Sequence, residues 1–408
     1  MRIVFIEPTP SPNSMKVNLD FRLPDGERYT YTSKEETTAP SYIRRLLEIP
    51  GVAGVFHTAD FIAVDRQPKA DWQSILQEVR QVFGEDATTS IHNAAKNSGA
   101  SGENKAVDAG ARIVSGENKD YTGVAIEGAE LSGHYGEANV LVQKFRGIPL
   151  QIRVKSEEQE ERIALPSRFI DAAMKAQYGS PNLIKERVLE DYGVRYGERK
   201  EIAEQIAAEL EASYDNERLQ QLIIAALGDG NSDVQADDRI ELQAIALKLE
   251  NPDWKIRYAA LDKLKPDLNA LPLIEKAMTD DNFSIRRLAT VYLGDIGQPE
   301  VFPQLYRMLR DPSASVRRTA GDCLSDIGDP DAIKPMSEAL MDPSKIVRWR
   351  AARYLYEVGD DSALDSLRKA VNDPEFEVAM QVQYAIARIE GGEAAAGSIW
   401  QQMTRRDR

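Results

Sequence analysis

Histidine, cysteine, paired carboxylates and placed cations do most side-chain chemistry near neutral pH, and this chain is poor in the first two. It has three histidines, His57, His92 and His134, none spaced as a ligand pair, and one cysteine, Cys323. A histidine-rich metal enzyme, a zinc ribbon or a protein-held iron–sulfur cluster needs more ligands than that. A disulfide framework is excluded as well. His57 stands three residues before Asp60, and a lone histidine beside a lone carboxylate at a strand edge reads as structural. Glu201–Glu209 offers carboxylates on a predicted helix whose apolar face is Ile202, Ile206 and Leu210. With no partner histidine, they read as a solvated face. The Gly-rich stretches lack the Lys-Ser/Thr ending of a phosphate loop. Neither a metal nor an organic cofactor is expected.

Arginine at regular spacing is what the chain does have. Asp280, Asp311, Asp342 and Asp373 recur every 31 residues, and Pro follows the last three. Five positions on come Ile285, Val316, Val347 and Val378, then Arg286, Arg317 and Arg348, with Ala379 breaking the series. Leu293, Leu324, Leu355 and Ile386 follow, and an earlier copy with Asn251-Pro252 and Ile256-Arg257 fits at a shift of 29. Asp-Pro predicts a helix start, with Asp as the cap and Pro in the first turn. Val316, Ala320, Cys323 and Leu324 then make one apolar stripe, and Gly328 ends it. A shorter helix burying Ile333, Met336 and Leu340 completes a unit that must stack on its neighbours to bury both faces.

These residues resemble HEAT repeats, of the short kind also found in phycobilin lyases, over roughly residues 240–400. The resemblance implies a ladder in which Asp and Arg link successive turns, assigning Arg257, Arg286, Arg317 and Arg348 to structure. The following position reads Tyr258, Arg287, Arg318, Trp349 and Met380, with Arg350 and Arg353 close by. Those side chains are expected along one concave face. Arg and Trp are frequent binding hot spots, so Tyr258, Arg287, Arg318, Trp349, Arg350 and Arg353 are the candidate partner-binding residues. Cys323 takes the core slot that Tyr292 and Tyr354 fill in adjacent repeats, and is expected to be buried packing.

Other elements must position these. Residues 1–85 predict a compact α+β module: strands over Arg2–Ile6, Met15–Phe21, Glu27–Ser33, Val52–Phe56 and Asp60–Val64, with helices carrying Ile43, Leu46 and Leu47, and Trp72 to Phe83. Glu7-Pro8-Thr9-Pro10-Ser11-Pro12-Asn13-Ser14-Met15-Lys16, Ile49-Pro50-Gly51-Val52, Phe56, Asp60-Phe61-Ile62 and Trp72 resemble the N-terminal domain of Nfu-type iron–sulfur scaffold proteins. The family's Cys-x-x-Cys module has no counterpart here, so only the fold and a partner surface are implied. The Thr9–Lys16 loop is read as a turn set by its prolines and Asn13.

Residues 86–133 are rich in Gly, Ser and Asn, repeat Ser-Gly-Glu-Asn-Lys at 101 and 115, and read as a flexible linker. From Asn139, Val140–Phe145 and Leu150–Val154 predict a β-hairpin, followed by an acidic run, then helices over 166–190 and 198–227. Nothing in the residues themselves demands the phrase Phe145-Arg146-Gly147-Ile148-Pro149. The expected domains are thus 1–85, 86–133, 134–238 and 239–408.

The formal charge is −15 over 408 residues, which argues against nucleic-acid binding through overall charge. Residues 251–408 carry net −3 and the remainder −12, so an arginine-bearing groove suits an acidic peptide, including an acidic segment of this same chain. No apolar run approaches the roughly 20 residues of a membrane helix. No signal peptide is expected either, since Ile3–Ile6 runs into Glu7-Pro8, and a cytoplasmic location follows. The Nfu-type start, the Phe-Arg-Gly-Ile-Pro hairpin and the HEAT array together resemble the conserved virulence factor C family. That resemblance implies a non-enzymatic cytoplasmic factor affecting virulence, haemolysin production included, that holds partner proteins in the solenoid groove and on the N-terminal domain. The alternatives are an accessory role in iron–sulfur assembly without carrying a cluster, and a bilin-lyase-like HEAT enzyme.

Overall fold

The computed structural model describes residues 1–9, 11–24, 27–32, 39–67, 70–84, 136–156, 159–179, 184–228, 238–392 and 395. The linker expected over 86–133 lies outside the described residues. The chain divides into two compact units: Met1–Glu7, Met15–Asp65 and Lys69–Gly133 form one, and Pro8–Ser14, Arg66–Pro68 and His134–Arg408 the other. No helix among the described residues is long and apolar enough to cross a membrane.

In the first unit, β1 (Ile3–Pro8), β2 (Ser14–Leu19), β3 (Arg28–Thr32), β4 (Val52–Thr58) and β5 (Phe61–Arg66) make a sheet of order β1-β2-β5-β4-β3. Helices α1 (Ser41–Leu47) and α2 (Trp72–Val82) carry its core, with Ile43, Leu46, Trp72, Ile75 and Val79 buried alongside Val17, Ile62 and Val64. Asp71 starts α2 by accepting from the Ser74 amide at 2.7 Å. His57 is fully buried in β4. Its Nδ1 lies 2.7 Å from the Tyr42 hydroxyl, and burial lowers its pKa below the ordinary 6.5.

The second unit begins with a four-stranded antiparallel sheet, order β8-β7-β6-β9. It comprises β6 (Glu137–Phe145), β7 (Ile148–Lys155), β8 (Glu160–Ala164) and β9 (Arg187–Tyr196), with α3 (Ser167–Ala176), α4 (Arg199–Ser213) and α5 (Asn216–Leu227). Val140, Val142, Ile152, Val154, Phe169, Ala173, Ile206 and Leu210 form its core. The hairpin β6–β7 is as read from sequence, and its tip now has a physical account. Phe145 pairs with Ile148 across a two-residue loop in which Arg146 and Gly147 both have positive φ, +47° and +80°, as a type I′ turn requires. The register slips between Gln143 and Lys144, leaving an extra residue beside Pro149, and a bulge is where a strand tolerates a residue with no N–H. Arg146 reaches the Ala226 carbonyl at the end of α5 and donates to Glu186 at 2.9 Å. A Cβ on Gly179 would collide with that same carbonyl at 2.2 Å.

Two readings of this region are corrected. The acidic run ends in a strand, β8, rather than leading straight into helix. Residues 187–196 form strand β9, not the end of a helix. Here Asn139 pairs with Val194 but Leu141 with Asp191, so β9 carries an extra residue. Gly193, at φ +75°, supplies the bulge, and Asp191 accepts its amide at 2.7 Å.

The rest is helical: α6 (Asp238–Lys248), α7 (Trp254–Asp262), α8 (Leu271–Ala277), α9 (Phe283–Ile296), α10 (Phe302–Met308), α11 (Ala314–Ile327), α12 (Ile333–Ala339), α13 (Lys345–Glu357), α14 (Leu364–Ala370) and α15 (Phe376–Glu390). Long and short helices alternate over one continuous core that includes Ile285, Leu293, Val316, Leu324, Val347, Leu355 and Val378. The implied ladder is present. Arg257 binds Asp280 through Nε and Nη2 at 2.7 and 2.8 Å, and Arg286 binds Asp311 at 2.7 and 3.1 Å. Arg317 binds Asp342 at 2.6 and 2.8 Å, and Arg348 binds Asp373 at 2.7 and 3.1 Å. The aspartates do not cap helices as the Asp-Pro reading expects. Helix α11 starts at Ala314 with Ser313 at its cap, three residues after Asp311. The Asp311 carboxylate is instead shared between Arg286 of the preceding repeat and the Ser313 amide at 2.7 Å.

Two outcomes follow. Arg317→Ala should cost about 3–5 kcal/mol in urea unfolding, because Asp342 is left buried without its cation, and Arg317→Lys should recover only part, lacking the planar fork. For His57, the folded pKa lies below the unfolded one, so the unfolded chain takes up the proton first. Stability is full above about pH 6.5 and falls as pH drops through that value. Measured against pH between 7 and 5.5, the unfolding midpoint of His57→Gln should decline less than that of the parent chain.

Candidate binding groove

One residue along a helix is about 100° around it. The residues following the ladder arginines therefore face away from the ladder, and they form a row within the second unit. Tyr258, Arg287, Trp349 and Arg353 in that row are buried, and the side chains of Arg318 and Arg350 are 15% exposed. Part of the row meets this chain's own middle module, at Arg287 and Arg318.

Helix α4 packs on α7, and Ala212 joins the core of the helical array, with Tyr196 packed against it. The Tyr196 ring stacks under the Arg318 guanidinium at 3.9 Å. Burial lifts the Tyr196 phenol to about 12. Glu209 of α4 is buried and lies 3.5 Å from Arg287 Nη2. It is the exception to the solvated face expected for Glu201–Glu209. One carboxylate and one aromatic ring of the same chain thus meet Arg287 and Arg318.

Within the row, Asp322 is bracketed by Arg318 Nη1 at 2.8 Å and Arg350 Nε at 2.6 Å. Neither that Arg350 Nε nor the Asp322 Oδ1 facing it has hydrogen-bond geometry, and the Nε atoms of Arg287 and Arg318 are likewise buried without a hydrogen-bond partner. The contacts here are electrostatic rather than saturated. Arg350 lies across Gly321, where a Cβ would come within 2.9 Å of its Cγ. Arg353 pairs with Glu357 at 2.7 Å, and Trp349 is a core residue with 1% exposure.

Cys323 packs against Gly294, where a Cβ would meet its Sγ at 2.5 Å, and lies 3.7 Å from the Thr290 carbonyl. Burial pushes its thiol well above the usual range. Tyr292 and Tyr354 in the matching slots donate to the carbonyls of Leu261 and Asp329. In the Thr9–Lys16 loop, the Thr9 hydroxyl approaches the carbonyls of Ser11 and Ser14, each at 3.0 Å, and Asn13 Oδ1 accepts from Arg66 Nε at 3.3 Å. Among the described residues no group of three or more His, Cys, Asp or Glu could hold a metal ion. Sequence reasoning missed Tyr196, Glu209, Asp322 and Arg195; of these, only Glu209 had a signal, as a carboxylate beside an arginine-rich array.

Comparisons with known proteins divide the chain in the same order as its elements. Residues 3–90 match the family described as scaffold protein Nfu/NifU N terminal, residues 143–223 one described as virulence factor, and residues 242–320 and 302–387 match HEAT repeats. The chain is 47% identical over 404 residues to the Bacillus subtilis (strain 168) protein YpgR, spanning 99% of this chain and 98% of that one. It is 43% identical over 409 residues to conserved virulence factor C of Staphylococcus aureus (strain MRSA252), over 100% of both. Among solved structures, protein SAV1430 from Staphylococcus aureus is 36% identical, covering 20% of this chain and 99% of that one at a TM-score of 0.19.

Arg318 ties Tyr196 to Asp322, so the two should not behave independently. In a double-mutant cycle of Tyr196→Ala and Asp322→Asn followed by urea unfolding, a coupling of about 0.5–3 kcal/mol is expected. Additive losses would mean that Arg318 does not link them.

Proposed function

Since this chain belongs to the conserved virulence factor C family, we propose that it is a non-enzymatic, cytoplasmic interaction protein whose HEAT array grips acidic and aromatic side chains along Tyr258, Arg287, Arg318, Trp349, Arg350 and Arg353. One observation carries the reading: the row already holds Glu209 and Tyr196 of the same chain while Arg287 and Arg318 each keep a buried Nε without a hydrogen-bond partner. A partner segment offering carboxylates and an aromatic ring competes for the same positions. HEAT repeats and a family named for virulence support an interaction role over a catalytic one.

The Nfu-type match over residues 3–90 favours a second reading, an accessory to iron–sulfur assembly. In that role the chain recognises assembly proteins and carries no cluster, because its one cysteine is a packing residue in the array.

A synthetic peptide of residues 187–214 tests the groove. Full-length Tyr196→Ala/Glu209→Ala protein should bind it saturably in trans, measured by fluorescence anisotropy, while the parent chain should bind it at least tenfold more weakly. Adding Arg287→Gln and Arg318→Gln should remove that binding. If the opened chain does not bind the peptide, the groove is not a receptor for such segments. Capture of iron–sulfur assembly proteins that survives all four substitutions would favour the second reading.

A further inference from the structure

Between the middle module and the first repeats of the array lies a cavity of about 340 Å³. It belongs to the second unit, and β6, β9, α4, α5, α7 and α9 all contribute walls. Four cations face it, and three of them have a carboxylate. Lys144 Nζ lies 2.7 Å from Glu190, Arg218 Nη1 lies 2.8 Å from Asp262, and Arg287 Nη2 lies 3.5 Å from Glu209.

The fourth, Arg195, has none at ion-pair distance among the described residues. Its guanidinium contact is with the carbonyl of its own neighbour Val194, at 3.5 Å. Its Nε is buried without a hydrogen-bond partner, as is the Nε of Arg287, which is 7% exposed. Burial and the like charges of Arg287 and Arg318 pull the Arg195 guanidinium down to about 10, although the more distant Glu209 carboxylate works in the opposite direction. A half-buried cation with no carboxylate at ion-pairing distance among the described residues, and two guanidinium Nε donors without hydrogen-bond partners at one cavity, mark a place where an anion would be favoured. The walls suit an oxyanion in other ways. Tyr192, Tyr214 and Tyr258 line it, and Ile206 and Leu210 add apolar surface for a small organic body. A guanidinium fork matches a carboxylate or a phosphate equally well.

We propose that this cavity binds a small organic anion, its phosphate or carboxylate group held between Arg195 and Arg287. The cavity shares Arg287 and Tyr258 with the row proposed for partner binding, but Arg195 is not part of that row. Substituting Arg195 therefore separates anion binding from partner binding.

The test uses the full chain, with inorganic phosphate and malonate as probes and sodium chloride at matched ionic strength as the control. Isothermal titration calorimetry should show saturable one-to-one binding of at least one probe, and the thermal midpoint should rise with its concentration in the manner of a ligand that binds only the folded state. Phosphate alone binding would identify a phosphoryl group, and malonate alone a carboxylate. Arg195→Gln should abolish binding. It should also leave the anion-free midpoint unchanged or raised, since it removes an unbalanced charge; a merely structural arginine would lower it. Arg310→Gln, which alters an exposed pair with Glu338, should bind as the parent does. Absence of saturable binding by the parent chain to either probe overturns the proposal, whether or not Arg195→Gln folds. So does binding that Arg195→Gln leaves intact.

Discussion

A guanidinium that donates in several directions at once sets the geometry of the C-terminal half. Nε and Nη2 of Arg317 hold the Asp342 carboxylate of the next repeat, while Nη1 reaches back to the carbonyls of Asp311 and Pro312 at 2.8 and 3.0 Å. One planar group thus joins a helix, the turn before it and the turn after the following helix. Asp342 spends its remaining capacity on the Ser344 amide at 2.7 Å. A buried ion pair is tolerable when its other hydrogen-bonding groups are satisfied, and here they are. From Asn251 to Arg257, Asp280 to Arg286, Asp311 to Arg317 and Asp342 to Arg348 the spacing is six residues each time. The stretch from arginine to the next aspartate shortens from 25 residues to 23 at the first junction. The rigid part is the one the guanidinium spans, and the slack is taken up in the loops.

The ladder also decides what the next residue can do. Fixing one arginine fixes the helix rotation, so its follower must face the groove. The two series use the same residue types for opposite ends: ladder guanidinia donate in several directions, whereas Arg287 and Arg318 are held by charge with Nε left over. Small residues make this possible, as Gly321 does where Arg350 crosses it. A row with unused donors is adaptable, and it is met here by a ring and a carboxylate from the same chain.

Much of this was legible because it depends on identity at a fixed spacing. The 31-residue period, the apolar stripes and the Asp–Arg pairing are visible in the residues, and so are the strands and helices of the first unit. What was not legible depends on departures from regularity. β9 hides because Gly193 inserts a residue and breaks the alternation of an exposed edge strand, whose Val188 is 63% exposed. Phe145–Pro149 was opaque because its cause is a turn with two positive φ values and an anchor, Ala226, lying 80 residues away. Glu209 looks like any surface carboxylate until α4 is laid on α7. The burial of Trp349 and Arg353 was equally invisible, since helical spacing gives a face but not what lies against it.

The charge pattern follows from these same departures. In the array, arginines are matched by carboxylates of the second unit, through the ladder, through Glu209 and Glu357, and through Asp322, which serves two. The cation left over at the cavity arises on β9 instead. The bulge at Gly193 lies two residues before it, and an odd residue in one strand exchanges the faces of everything beyond. Were the same residues paired regularly from Asp191 onward, Val194 would lie opposite Ala138 and Arg195 would turn to the other side of the sheet. The local irregularity that concealed the strand is therefore the feature that turns a positive charge toward the cavity. The ladder holds rigid the helix surface against which that charge is buried.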